Sequence, residues 1–111
     1  MRALFVDPGA LRTELSLEAS VPAADGLGGF SESWTEIATV FARVEPISAA
    51  SVFAASQSLE TVTHRVTLRW RGDVSSGKRF VRPGRVLDII TVHDPDETGR
   101  YLVCRCREVG L

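Results

Sequence analysis

The chain has 111 residues, 44% of them apolar and 24% charged, with a net charge of −1 at neutral pH. A chain of this length is expected to form one domain, residues 1–111, and to bury roughly two thirds of its unfolded surface. The composition excludes a disordered or fibrous chain and argues against a nucleic-acid-binding domain that is basic throughout.

The N-terminal stretch Ala3-Leu4-Phe5-Val6 gives way to Asp7-Pro8-Gly9. That falls short of the about 7–15 apolar residues of a secretory signal, and no run approaches the ~20 residues of a membrane span. The expected place of synthesis and work is a cytoplasm, with no membrane partner. From Leu11 the pattern alternates, with Leu11, Thr13, Leu15, Leu17 and Ala19 on one side and Arg12, Glu14, Ser16 and Glu18 on the other, as in a half-buried strand. Residues Ser20 to Ser33 read as a loop whose tip, Asp25-Gly26-Leu27-Gly28-Gly29, tolerates positive φ. Trp34 to Glu45 reads as the next strand, with Val40, Ala42 and Val44 on one face and Phe41, Arg43 and Glu45 on the other. Pro46 ends it, and the two strands make a wide hairpin.

Ile47 to Leu59 is rich in Ala and Ser, with Ile47, Val52, Phe53 and Leu59 as its larger apolar side chains. It reads as a short helix or an extended arm, because Ser competes with the helical backbone. Such a low-charge strip is a candidate interface. Thr61 to Arg71 alternates without a break: Val62, His64, Val66, Leu68 and Trp70 form an apolar face, opposite a polar face with Arg65, Arg69 and Arg71. That is the pattern of an antiparallel sheet with one wet face. Gly72 to Lys78 and Pro83-Gly84 are turns around a short strand at Phe80-Val81. Arg85 to Val92 is a more fully apolar strand, with Val86, Leu87, Ile89, Ile90 and Val92. After the Asp94-to-Gly99 turn, Tyr101 to Val109 is the last strand. The fold class is all-β: a small antiparallel barrel or sandwich with long loops and at most one short helix. Its expected core is Leu15, Leu17, Val40, Val44, Val66, Leu68, Val86, Ile89, Leu102 and Cys104.

No set of residues reads as catalytic. The glycines at 26–29 lack the lysine and helix of a phosphate loop, and no serine sits in a nucleophile elbow. Cys104 and Cys106 share a strand face, where a mutual disulfide would be strained. His64 and His93 are isolated, short of the about four ligands of a zinc site. Asp94, Asp96 and Glu97 fit a turn better than a calcium loop. The expectation is no enzymatic activity, no cofactor and no metal, with two inert buried thiols. Arg71-Gly72-Asp73 spells an adhesion tripeptide, which chance readily produces. Charge is unevenly divided: residues 1–60 hold three arginines against eight acids, and residues 61–111 hold ten basic residues against six acids. Unless strand pairing mixes the halves, the subunit presents unlike faces.

Together these segments resemble the phage head–tail joining (head-closure) protein family. The resemblance runs through Pro8-Gly9-Ala10-Leu11-Arg12, the Asp25-to-Gly29 loop, "WTEIATVFARVEP" from Trp34, "THRVTLRWR" at Thr63 to Arg71, "RPGRVLDI" at Arg82 to Ile89, "DPDE" at Asp94 to Glu97 and "LVCRCREV" at Leu102 to Val109. The segment after Glu45-Pro46 departs, being less charged than in the family. The resemblance implies a small β-barrel in the virion neck, assembled in the bacterial host cytoplasm as a ring of about six or twelve copies. It would dock below the portal or adaptor, extend the DNA channel and offer a surface to the tail terminator or another tail protein. Double-stranded DNA would pass without sequence-specific binding. Asp25, Gly26, Gly28, Gly29, Arg71 and Asp73 are candidates for contacting the channel or a neighbour. Ile47, Val52, Phe53 and Leu59 are candidates for a subunit or partner interface. The alternative is a small β-barrel nucleic-acid-binding protein.

Overall fold

The computed structural model describes residues 7–24, 26–47 and 62–110. After a single 3-10 turn at Pro8–Ala10, capped by the Asp7 carboxylate, come six strands: β1 (Thr13–Ala24), β2 (Phe30–Pro46), β3 (His64–Arg69), β4 (Arg79–Arg82), β5 (Arg85–His93) and β6 (Tyr101–Glu108). They form one antiparallel sheet in the order β1-β2-β3-β6-β5-β4. The sheet closes where β4 returns to β1 through Ser16↔Val81, Leu17↔Phe80 and Glu18↔Arg79.

Neighbours run in opposite directions all the way round, so β1, β3 and β5 point one way and β2, β4 and β6 the other. The β1–β2, β3–β4 and β5–β6 connections therefore leave one end of the barrel, here called the hairpin end. The β4–β5 turn, the β2–β3 segment and both chain termini leave the other, the terminal end. The β4–β5 turn is two residues long, with Pro83 presetting the first position and Gly84 at φ +78° in the second, where a side chain would be strained.

Alternate residues of each strand fill the interior. Leu15, Leu17, Val40, Ala42, Val66, Leu68, Phe80, Leu87, Ile89, Leu102, Cys104 and Cys106 are buried there, with Val44 and Val92 packed against them. Val86, expected inside, is not part of this core; Leu87 and Ile89 hold the inward positions. Val86 and Leu87 make both faces of β5 apolar, and further along the strand carries a bulge. Ile89 pairs with Cys106 and Thr91 with Arg105, so Ile90 is an extra residue and the inward parity passes from Ile89 to Val92. On the outer face Thr67, Tyr101 and Val103 are also buried, although the alternation placed Tyr101 and Val103 with the arginines.

The segment expected to be a loop, Ser20 to Ser33, is mostly strand. β1 continues to Ala24 and β2 begins at Phe30, in unbroken register from Glu18↔Glu36 to Ala24↔Phe30. A bulge at Ile37 redirects β2 just where the barrel ends. Beyond it the two strands pair only with each other, as a ribbon. Six residues per strand at ~3.3 Å each project it ~20 Å past the closing β1–β4 pairs, in a molecule 53 × 30 × 27 Å in extent. The apolar alternation fades here because neither face of the ribbon covers a core. Its register is held by backbone pairing, and Ser33 and Ser31 also donate their hydroxyls to the Val21 and Ala23 carbonyls.

Phe80 is the largest side chain with no exposure and sits on the closing strand. Phe80→Ala should lower the unfolding free energy by about 3–5 kcal/mol, read as a reduced midpoint in urea with the slope unchanged.

Candidate assembly surfaces

The hairpin end carries most of the residues singled out above. Gly26 and Gly28 take φ +80° and +86° at the ribbon tip, beside Gly29, and between them Leu27 is 91% exposed. Asp25 lies outside the described residues. Arg71 and Asp73 lie in the β3–β4 connection at the same end, and they engage each other. The Arg71 guanidinium donates two 2.9 Å hydrogen bonds to the Asp73 carboxylate, and Lys78 Nζ donates to the Asp73 carbonyl at 2.6 Å. This pairing lowers the Asp73 pKa and raises that of Arg71. The Arg-Gly-Asp sequence is thus an internal brace of its loop. In the β5–β6 turn the buried Asp96 carboxylate accepts from the Thr98 amide and hydroxyl and from Arg100. Among the described residues, no three potential ligands gather to hold a metal.

The ribbon is pinned at its root. Arg79, the first residue of β4, lies 4.0 Å over the centre of the Trp34 ring and bonds Glu18 at 2.8 Å. Also at the root, Ser16 donates to Glu36 at 2.5 Å and Thr39 to the same carboxylate oxygen at 3.3 Å. The sequence pattern suggests Trp34 as a core or interface anchor. Its cation partner comes from β4, 45 residues further along the chain, and no local pattern links the two.

The strand order settles the distribution of charge. β1 and β2 are adjacent, and β3, β6, β5 and β4 complete the circle. The acidic strands β1 and β2 therefore form one continuous wall and the ribbon. The basic second half forms the remaining wall. The halves meet at ion pairs along both seams, Arg65–Glu45 on β3–β2 and Arg79–Glu18 on β4–β1. Arg69, Arg82 and Arg105 make no ion pair among the described residues.

A groove opens on the seam between β2 and β3. Their pairing stops at Ala42↔Leu68, and Trp70 instead donates its amide to the Arg100 carbonyl. The gap, about 460 Å³, is lined by Thr39, Val40, Phe41, Leu68, Arg69, Trp70 and Arg71, with Pro8 and Leu11 from the N-terminal segment. Phe41 and Trp70 are about half exposed. Phe41 stands at a polar-face position of its strand, which was a legible signal that it serves a surface rather than the core.

At the terminal end, the Ile47 amide donates to the Thr63 carbonyl at 2.9 Å, so the chain leaves and re-enters the barrel at one point. Ile47 is half-buried; Val52, Phe53 and Leu59 lie outside the described residues. His64 is mostly buried among Thr63 (2.8 Å), Arg85 (3.2 Å) and Glu108 (3.8 Å). Burial lowers its pKa, the Glu108 carboxylate opposes this and Arg85 adds to it. Arg85 in turn grips Glu108 with two hydrogen bonds and holds its pKa down. Cys104 and Cys106 are free and buried, and desolvation pushes the Cys104 thiol up to about 12.

Residues 6–109 match the family of phage head completion proteins, and the chain belongs to that family. Membership makes it a structural protein of the virion. Two solved structures are similar over nearly the whole chain. One is protein SF1141 from Shigella flexneri 2a, at 28% identity and TM-score 0.74, covering 95% of this chain and 98% of that one. The other is a chain of the virion of a native gene transfer agent particle, at 29% identity and TM-score 0.66, covering 89% and 96%. No curated protein sequence matches the chain.

Removing the pin at the ribbon root should loosen the ribbon while sparing the barrel. In a Trp70→Phe background, Arg79→Ala should change Trp34 fluorescence and cost about 1–2 kcal/mol. His64 has a folded pKa below its ordinary value of 6.5, so the unfolded state binds the proton more tightly. Its contribution is therefore fully present above pH 6.5 and is lost as the pH falls through the folded pKa. Unfolding measured across that window should show the loss, and His64→Gln should flatten the curve there.

Proposed function

We propose that this head completion protein works as a ring of identical subunits that docks beneath the portal or its adaptor. The ring extends the DNA channel and presents a surface to the tail. The observation that carries the ring is the division of charge by contiguous strands. An acidic β1–β2 wall and a basic β3–β6–β5–β4 wall give each subunit two unlike, complementary sides. A head-to-tail contact between unlike sides closes into a ring when its rotation divides a full turn, and complementary charge directs that pairing.

The two ends suit two different neighbours. The hairpin end carries the overhanging ribbon and its glycine tip. The terminal end carries Ile47 and the origin of the 47–59 segment, for which we propose the role of an assembly arm that contacts another virion protein through Val52, Phe53 and Leu59. DNA sliding through the lumen requires a wall without tight phosphate contacts.

Particles produced without this chain should package DNA, fail to retain it and lack tails. Imaging of complete particles should show a ring of this protein at the neck. A complementing Phe53→Asp variant should fold with an unchanged melting midpoint yet fail to join heads to tails. Full assembly by that folded variant removes the arm, and complete tailed particles without the chain remove the function. Retardation of duplex DNA by the isolated chain at physiological salt supports the nucleic-acid-binding alternative instead.

A further inference from the structure

We propose that the ribbon tip of one subunit seats in the β2–β3 groove of the next copy, with Leu27 as the inserted side chain; the inference rests on the ring reading. The two surfaces are unlike and match in chemistry. The groove has a buried floor, Val40 and Leu68, and a half-exposed aromatic rim, Phe41 and Trp70. Exposed aromatics around an apolar depression are the usual anchors of a protein interface. Leu27, at 91% exposure, is the most exposed large apolar side chain among the described residues, at the far end of a ribbon with Ser31, Glu32 and Ser33 on one strand.

Charge selects a second copy as the occupant. No Lys or Arg occurs between Arg12 and Arg43, whereas Glu14, Glu18, Asp25, Glu32 and Glu36 all do. Within the ribbon itself, residues 19–35, the charged side chains are Asp25 and Glu32, so the arm is acidic, with an apolar tip. The groove rim carries Arg69, which makes no ion pair among the described residues, whereas Arg71 is held by Asp73. Reach excludes the subunit's own groove. The tip stands ~20 Å beyond the barrel rim, and the groove lies on the barrel wall where β2 and β3 separate. Glycines at 26 and 28 leave the tip free of Cβ atoms on both sides of Leu27, so flanking backbone can enter with it. Tip and groove are different patches of one chain, which makes the contact heterologous as a ring requires.

The test is a cysteine pair, Leu27→Cys with Phe41→Cys, in complemented particles exposed to a mild oxidant. Native Cys104 and Cys106 are fully buried with raised pKa values, so they stay out of exchange. The expected result is a reducible ladder of covalent multimers from the pair and only monomer from either single variant. A ring at the neck in particle images with no ladder overturns the contact and leaves the ring reading standing. A neck without a ring of this protein overturns both, and a cross-link from the Phe41→Cys variant to another virion protein overturns the choice of occupant. Should the cysteine pair block assembly, the charges decide. Glu32→Arg and Arg69→Glu should each reduce finished particles by roughly tenfold or more, and the double variant should restore them. A double variant no better than the singles overturns the proposal.

Discussion

The fold depends on a short stretch of pairing between β4 and β1, Ser16 to Glu18 against Arg79 to Val81. Without it the sheet would be open, with two bare edges offered to any other strand. Four residues of β4 suffice because the side chains that matter there each have a partner or place: Phe80 fills the core, and Arg79 ties Glu18 and Trp34. The same pairing decides where the barrel stops. β1 and β2 both continue past it, and nothing but each other remains for them to pair with.

The overhanging ribbon follows from that closure. A two-stranded ribbon has no core of its own and is marginal in isolation. Here it inherits its register from the barrel and is pinned at the root by a cation–π contact and hydrogen bonds to Glu18 and Glu36. It can therefore hold an exposed leucine far from the barrel without collapsing onto it.

Closure also turns a linear bias into a spatial one. Consecutive strands β1 and β2 remain neighbours, and the later strands fill the rest of the circle. The acidic strands β1 and β2 and the basic later strands thus become separate walls, joined by ion pairs at the seams. Had β1 and β2 been separated in the strand order, the same composition would have produced an evenly mixed surface.

Much of this was legible in the chain. Period-two alternation identified the strands and most of the inward residues, from Leu15 and Leu17 to Leu102 and Cys104, because a strand with one covered face must alternate. Pro83-Gly84 marked its turn, and the ordered motifs pointed to the family. Alternation is silent where no core is covered, so residues 20–33 read as a loop although most of them are strand. It misleads where adjacent residues are both apolar, as at Val86 and Leu87, of which Leu87 faces the core, and where a bulge shifts parity, as at Ile90. Contacts between distant strands leave no local trace at all. The contact of Arg79 with Trp34 and the gap beside Phe41 and Trp70 exist only because of strand order and register. The sequence by itself determined most of the residues that face inward and what family the chain belongs to, since both depend on local pattern. The tertiary structure alone decided which charges share a wall, where the ribbon leaves the barrel and where the groove opens, since those depend on which strands closure makes neighbours.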